Sequence, residues 1–165
     1  MKTLLLAAFL CAALAASGCG SSSSTESSES TGSTSAEPAS TAEKTKPKVT
    51  VPKGAPPKKL VIKEIEKGSG ATAKSGDEVT VQYVGVDYKN GKEFDSSLSR
   101  NEPFSFNLGA GEVIPGWDQG IAGMKVGGRR ELIIPPNLAY GSAGAPPSIG
   151  PNETLIFVID LVGVG

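Results

Sequence analysis

The sequence predicts an α+β domain, a twisted antiparallel β-sheet wrapped over one short α-helix, standing behind a leader segment of very different composition. Three observations predict it. Residues 79–86 alternate, Val79, Val81 and Tyr83 against Thr80, Gln82 and Val84, which is the period-two pattern of a half-buried strand. Asn90-Gly91 follows at once, a dipeptide that closes hairpins between antiparallel strands. Helix signals gather at one place only, where Pro115 opens a short run through Trp117 to about Ala122. Several strands with one helix packed on the concave side define the α+β class.

The amino terminus reads as an address. Lys2 precedes an apolar run from Leu4 to Leu14, and small residues then lead to Gly18-Cys19. A positive start, a short apolar stretch and a small-residue exit describe a secretory signal peptide over residues 1–18. The run is too short to span a bilayer as a mature helix. Ala16-Ser17-Gly18-Cys19 resembles a bacterial lipobox, which implies acylation of the Cys19 thiol and cleavage before it. Ala16 stands where leucine is usual, and ordinary cleavage after Ala13-Leu14-Ala15 is the alternative.

Between Gly20 and Thr45, fifteen of twenty-six residues are Ser or Thr and none is aromatic. That composition cannot bury enough apolar surface to offset ordering entropy, so a flexible tether is expected. Four prolines among the eleven residues Pro47 to Pro57 favour an extended spacer. Residues 19–57 are thus expected to be a lipid-anchored tether, and residues 58–165 the folded domain. The expected location is the cell envelope outside the cytoplasm, on a membrane through lipid at Cys19, with free secretion as the alternative.

Within the domain, Leu60 to Ile65 is a strand ended by Lys67-Gly68-Ser69-Gly70. The strand at 79–86 feeds the Asn90-Gly91 turn, expected to be type I′ with both residues at positive φ. Tyr88 is expected at an exposed hairpin position. Phe104 to Leu108 is a strand with Phe104, Phe106 and Leu108 on one face. The helix from Pro115 is released at Gly123 or at Val126-Gly127-Gly128. Arg129 to Ile134 is a strand stopped by Pro135-Pro136. Ala139 to Pro151, with three Gly and three Pro, is a long loop. Thr154 to Val162 is the last strand, carrying Leu155, Phe157 and Ile159 on one face.

Composition excludes several functions. The chain has no histidine, and its two cysteines are Cys11 and Cys19, so no nitrogen–sulfur metal site and no Ser-His or Cys-His nucleophile can be assembled. No cofactor is implied. Formal charge is −1 and no basic run is longer than a pair such as Arg129-Arg130, which gives no footprint for nucleic acid. Of the eight aromatics that follow residue 18, five (Tyr83, Phe94, Phe104, Trp117 and Tyr140) stand beside Asp95 among turns and glycines. Such a gathering either lines an apolar pocket or fills a core.

The motifs decide between these readings. Tyr83 with Gly85, Phe94-Asp95-Ser96-Ser97, Phe104, Glu112-Val113-Ile114-x-Gly116-Trp117 and Ala139-Tyr140-Gly141, in that order over residues 58–162, resemble the FKBP family. Its members are peptidyl-prolyl cis–trans isomerases that bind tacrolimus and rapamycin. The resemblance implies a sheet wrapped over one helix with the pocket between them. It places Trp117 at the pocket floor, Tyr83, Phe94 and Phe157 at the walls, and Phe104, Val113 and Ile114 at the rim. It gives Tyr140 a hydroxyl, and Ile114 a backbone N–H, to offer a substrate carbonyl. Asp95 stands at the edge, held by Arg100, and Ile149 closes the side formed by the long loop. Phe106, Leu155 and Ile133 are expected in the core.

Two positions depart from many relatives, Ala145 in place of a histidine and Ser148 in place of a branched apolar residue, which implies altered preference at the outer lip. The chemistry needs no proton transfer, so a chain without His, Cys or metal suits it. Amide resonance puts a barrier of about 18–20 kcal/mol in front of X–Pro rotation. An apolar pocket disfavours the polar resonance form and assists the twist. The partners implied are proline-containing polypeptides and macrolides, with the domain a monomer. A low-turnover proline-peptide-binding module that recruits an envelope partner is the alternative function.

Overall fold

In the computed structural model the described residues are 45–165. The expected signal peptide, Cys19 and the tether as far as residue 44 lie outside them. Six antiparallel strands form one sheet: β1 (Val61–Glu66), β2 (Glu78–Asp87), β3 (Glu93–Ser96), β4 (Phe104–Asn107), β5 (Arg129–Ile134) and β6 (Leu155–Val164). Their order is β1-β5-β6-β2-β3, with β4 also paired to β2. The two ten-residue strands β2 and β6 pair along most of their length and form the centre. Helix α2 (Pro115–Ile121) packs on one face.

The strand at the β2 edge is broken. β3 pairs with Val84 to Val86 and β4 with Glu78 to Val81, and the chain leaves the sheet between them. The excursion holds a helix that the sequence did not announce, the single turn α1 (Ser97–Arg100). Three local groups make it: the Ser96 hydroxyl accepts from Ser99 N at 3.3 Å, Asn101 adopts φ 54° at the far end, and the buried Ser97 hydroxyl ties the turn to β2. Ser97 Oγ donates to Gln82 Oε1 at 2.5 Å and accepts from Tyr83 N at 2.8 Å. The Asp-Ser-Ser run is therefore a strand end, a cap and a tether point in succession.

Helix α2 lies close on β5 because two of its buried positions, Gly116 and Gly120, carry no side chain. A Cβ on Gly120 would stand 2.5 Å from Leu132 Cδ1, and one on Gly116 would enter Ile134. These glycines are four residues apart and share one helix face. Arg130 holds the other end, donating from Nη1 to Gly120 O at 2.9 Å and Ala122 O at 3.1 Å. Gly123 at φ 74° then turns the chain away. Arg129, the other half of the basic pair, makes a two-pronged ion pair with Asp160 at 2.6 and 2.7 Å. Both arginines serve the fold.

Two readings of the hairpin are corrected. Asn90 does not take a positive φ; Gly91 alone does, at 70°, so the turn is not type I′. A wider loop forms in which Gly91 N donates to Asp87 O and Asp87 N to Lys92 O. The cause is the Asp87 carboxylate, which accepts from Lys89 N at 2.8 Å and Asn90 Nδ2 at 2.9 Å and opens the turn. Tyr88 is buried, at 8 % exposure, where an exposed residue was expected. It packs with Val84, Val86, Ile133 and Ile156 on the sheet face opposite α2, and Val49 and Val51 lie against that cluster. Packing contacts thus reach back past Lys58, through part of the proline-containing spacer.

Candidate active site

Between α2 and the sheet lies an open cleft of about 350 Å³, lined by Tyr83, Phe94, Asp95, Phe104, Glu112, Val113, Ile114, Trp117, Tyr140 and Phe157. Its base is a set of edge-to-face rings. Trp117 meets Phe157 at 5.2 Å and 88° and Tyr83 at 5.0 Å and 78°, while Phe94 meets Phe157 at 5.5 Å and 85°. Each such pair contributes about 0.5–1.5 kcal/mol beyond its area, so the floor is stiff. Trp117 is 5 % exposed, and its buried indole N–H has no acceptor among the described residues. Gly85 makes room: a Cβ there would stand 2.7 Å from Phe94 Cζ and 2.8 Å from Phe157 Cε1.

One wall is polar and closed on itself. The Tyr83 hydroxyl donates to Asp95 Oδ2 at 2.5 Å and accepts from Arg100 Nη2 at 2.9 Å. Arg100 Nη1 donates to Asp95 Oδ1, completing a three-membered ring of bonds. The broken edge explains the meeting: Asp95 stands near the end of β3, Arg100 ends α1, and the excursion folds one back on the other. Burial, and then the bond to the Asp95 carboxylate, push the Tyr83 phenol above its ordinary range; Arg100 pulls the other way. Tyr83 therefore stays a donor at neutral pH.

The opposite lip carries donors without partners. Ile114 caps the N-terminus of α2 with extended dihedrals, and its carbonyl accepts from Trp117 N at 2.9 Å. Its own N–H has no acceptor among the described residues. Tyr140 is 40 % exposed, and its hydroxyl likewise has no partner there. Burial, followed by the charge of Asp95, raises the Tyr140 phenol, so it too remains protonated. Glu112 holds this lip in place, accepting from Asn107 N at 2.9 Å and Asn107 Nδ2 at 3.0 Å, bonds that lower its carboxyl below the usual range. Asp118 Oδ1 accepts from Gly109 N at 2.8 Å and pins the same loop to α2.

The sequence and the fold match known proteins. A family model described as FKBP-type peptidyl-prolyl cis-trans isomerase covers residues 69–162. An FK506-binding protein from Streptomyces anulatus is 59 % identical over 120 residues, 72 % of this chain and 97 % of that one. FK506-binding protein 4 from Dictyostelium discoideum is 53 % identical, but the match covers only 32 % of its length. The crystal structure of AtFKBP13 superposes with a TM-score of 0.60 at 42 % identity, over 64 % of this chain and 93 % of that one. The chain belongs to the FKBP-type peptidyl-prolyl cis–trans isomerases.

In this FKBP domain the cleft assembles nearly all the residues that sequence motifs pointed to, from Tyr83 to Phe157, with Arg100 directly behind Asp95. Ile149 is the one that does not line it. Its side chain is 6 % exposed in the core, and its N–H and C=O pair with Ala145 at 2.9 Å each way. Ile149 thus anchors the long loop, and Tyr140 is carried on the loop so anchored. Ala145 is half-buried and Ser148 exposed at the loop's outer edge. Glu112 as a side chain was missed; it stood inside a quoted motif, but only the fold brings Asn107 to it.

Proposed function

We propose that the cleft receives the proline ring of an extended polypeptide on the Trp117 indole, between Tyr83, Phe94 and Phe157. The observation that carries this is the pairing of a stiff apolar base with two unpartnered donors, Tyr140 Oη–H and Ile114 N–H, on one lip. The carbonyl before proline leaves water on entering the cleft. Its polar resonance form is then disfavoured, and the C–N bond rotates more readily. The two donors follow the carbonyl oxygen through the twist and hold the rotated amide better than either planar form, which is all that catalysis requires here. Asp95 and Arg100 set the electrostatics of the facing wall, with Phe104, Val113 and the Ile114 side chain at the rim. Macrolides that present a ring and carbonyls in the same arrangement, such as tacrolimus and rapamycin, occupy the same cleft.

The substrates are exported polypeptides folding outside the cytoplasm. What supports this is the leader: a signal-like run over 1–18, Cys19 at a lipobox-like site and a Ser/Thr-rich tether before a monomeric isomerase domain at 58–165. Lipid on Cys19 then holds the enzyme at a membrane; cleavage after Ala15 would release it.

The test is cis–trans exchange of a Leu-Pro-Phe peptide followed by NMR, with and without tacrolimus, beside Asp95→Ala and Tyr140→Phe. Exchange that the drug abolishes and both variants weaken is expected. A peptide that binds but exchanges at the rate seen in buffer would replace catalysis with a recruiting module. Labelling with a radioactive fatty acid, lost in Cys19→Ser, checks the anchor.

A further inference from the structure

The segment before β1 is built into the back of the pocket wall. Lys46 Nζ donates to Glu93 Oε1 at 2.8 Å and to Ser99 Oγ at 2.9 Å, and Ser99 Oγ donates to the same carboxylate at 3.2 Å. Glu93 opens β3, the strand that carries Asp95, and Ser99 adjoins Arg100 in α1. One ammonium therefore bridges the two pieces that carry the polar wall. Val49 and Val51 then pack on the aliphatic cluster of the convex face, where Leu98 of α1 also sits. Beyond them, Tyr88 Oη meets Ala55 O at 3.4 Å.

A one-turn helix has almost no internal ladder and is unstable by itself. α1 is held on the cleft side by the ring of bonds among Tyr83, Asp95 and Arg100, and on the far side by Ser97, Leu98 and Ser99. Of those three far-side attachments, Ser99 bonds the leading segment directly, and Leu98 shares its aliphatic cluster with Val49 and Val51.

We propose that residues 46–55 form a strap that positions the β3–α1 wall of the active site, with Lys46 as its positioning residue. This rests on the reading of Asp95 and Tyr83 as the wall that faces the substrate. The strap touches no substrate; it limits how far Asp95 and Arg100 can drift from Tyr83. Its loss weakens capture of the peptide more than turnover, because the donors at Tyr140 and Ile114 stand on the other lip.

The experiment uses the full chain with Lys46→Ala, Lys46→Arg and the double change Val49→Ser/Val51→Ser. The guanidinium signals of Arg100 are followed by NMR, and KM and kcat are measured on a Leu-Pro-Phe peptide. Lys46→Ala is expected to broaden the Arg100 signals and raise KM about twofold, the range of an exposed ion pair, with kcat unchanged. Lys46→Arg restores both. The double variant raises KM about fivefold, since it removes the apolar seat of the strap and loosens α1 through Leu98. Arg100 signals and KM that match wild type in Lys46→Ala and in the double variant overturn the strap. Should the double variant not fold, Lys46→Ala against Lys46→Arg decides alone. Arg100 signals that change while KM stays fixed uphold the strap and count instead against the polar wall as part of the substrate site.

Discussion

Strands β2 and β6 send alternate side chains to opposite faces of the sheet, and the two faces are finished differently. On the convex face Val84, Val86 and Ile156 meet Ile133, Tyr88 and the valines of the strap, aliphatic groups that close flat against a short extended segment. On the concave face Tyr83 and Phe157, one residue along from Val84 and Ile156, meet Trp117 and Phe94 edge to face. Rings that meet edge to face cannot fill space as methyl groups do. The floor is buried, with Trp117 at 5 % and Phe157 at 3 %, yet an open cleft of about 350 Å³ remains above it. An apolar site can thus be made by choosing side chains too stiff and too large to collapse, on strands whose other face is packed in the ordinary way.

The comparison is broken most forcefully by truncating one side chain from each face. Phe157→Ala and Ile133→Ala each remove a buried group, at 3 % and 8 % exposure. Losses of about 3–5 kcal/mol for the first and about 2–5 kcal/mol for the second are expected in urea unfolding. Their effects on the site should part. Phe157→Ala takes away a ring that orients Trp117 and should abolish tacrolimus binding, followed by fluorescence of the chain's single tryptophan. Ile133→Ala, on β5 with β6 and β2 between it and β3, should leave affinity within about twofold once the folded fraction is counted. Equal loss of affinity in both would show that the faces are not separable.

A smaller step sharpens the same contrast. Gly85→Ala adds one methyl group where Phe94 and Phe157 would stand 2.7 and 2.8 Å from it. Overpacking of this kind costs about 1–3 kcal/mol, and here the atoms that must give way are the wall itself. A weakening of tacrolimus binding by about tenfold is expected, larger than the stability loss predicts for any site-independent effect, and measurable by the same titration. At Gly163, on the neighbouring strand β6, the nearest atom to an added Cβ is 3.7 Å away, so Gly163→Ala serves as the control that leaves binding unchanged.

How much of this was legible beforehand follows the same division. Period-two patterning is a local signal, so β2 and β6 could be read from their own residues, and β5 from the Pro135-Pro136 stop that follows it. The base of the cleft was legible because its residues lie in motifs with fixed spacing. What escaped depends on contacts between distant segments. Tyr88 looked like hairpin surface because its cover, Val49 and Val51, lies in a stretch whose prolines suggested a bare spacer. α1 escaped because a one-turn helix has no period; only Ser97 reaching Gln82, and Asn101 at positive φ, make it visible. Asn90-Gly91 misled because the Asp87 carboxylate, three residues earlier, captures the turn.

The finest test concerns the lip that closes neither face. Tyr140 is 40 % exposed and bonds to nothing among the described residues, so Tyr140→Phe should leave stability unchanged within about 0.5 kcal/mol. Activity should still fall, because a donor to a carbonyl in a desolvated site contributes about 1–1.5 kcal/mol, or about tenfold in kcat/KM. Alkaline titration gives the sign independently. Burial and the Asp95 charge both disfavour the Tyr140 phenolate, so its folded-state pKa lies above the ordinary value of 10.0. A raised pKa means that the donor is present throughout neutral pH and is lost only as pH climbs past that raised value. Tyr83, raised by burial and its bond to Asp95, follows the same rule. Wild-type kcat/KM should therefore lose activity above pH 10 in two overlapping steps, and Tyr140→Phe should retain only the one that belongs to Tyr83. An unchanged alkaline limb in Tyr140→Phe would remove its hydroxyl from the reaction and leave the Ile114 N–H as the donor that follows the carbonyl.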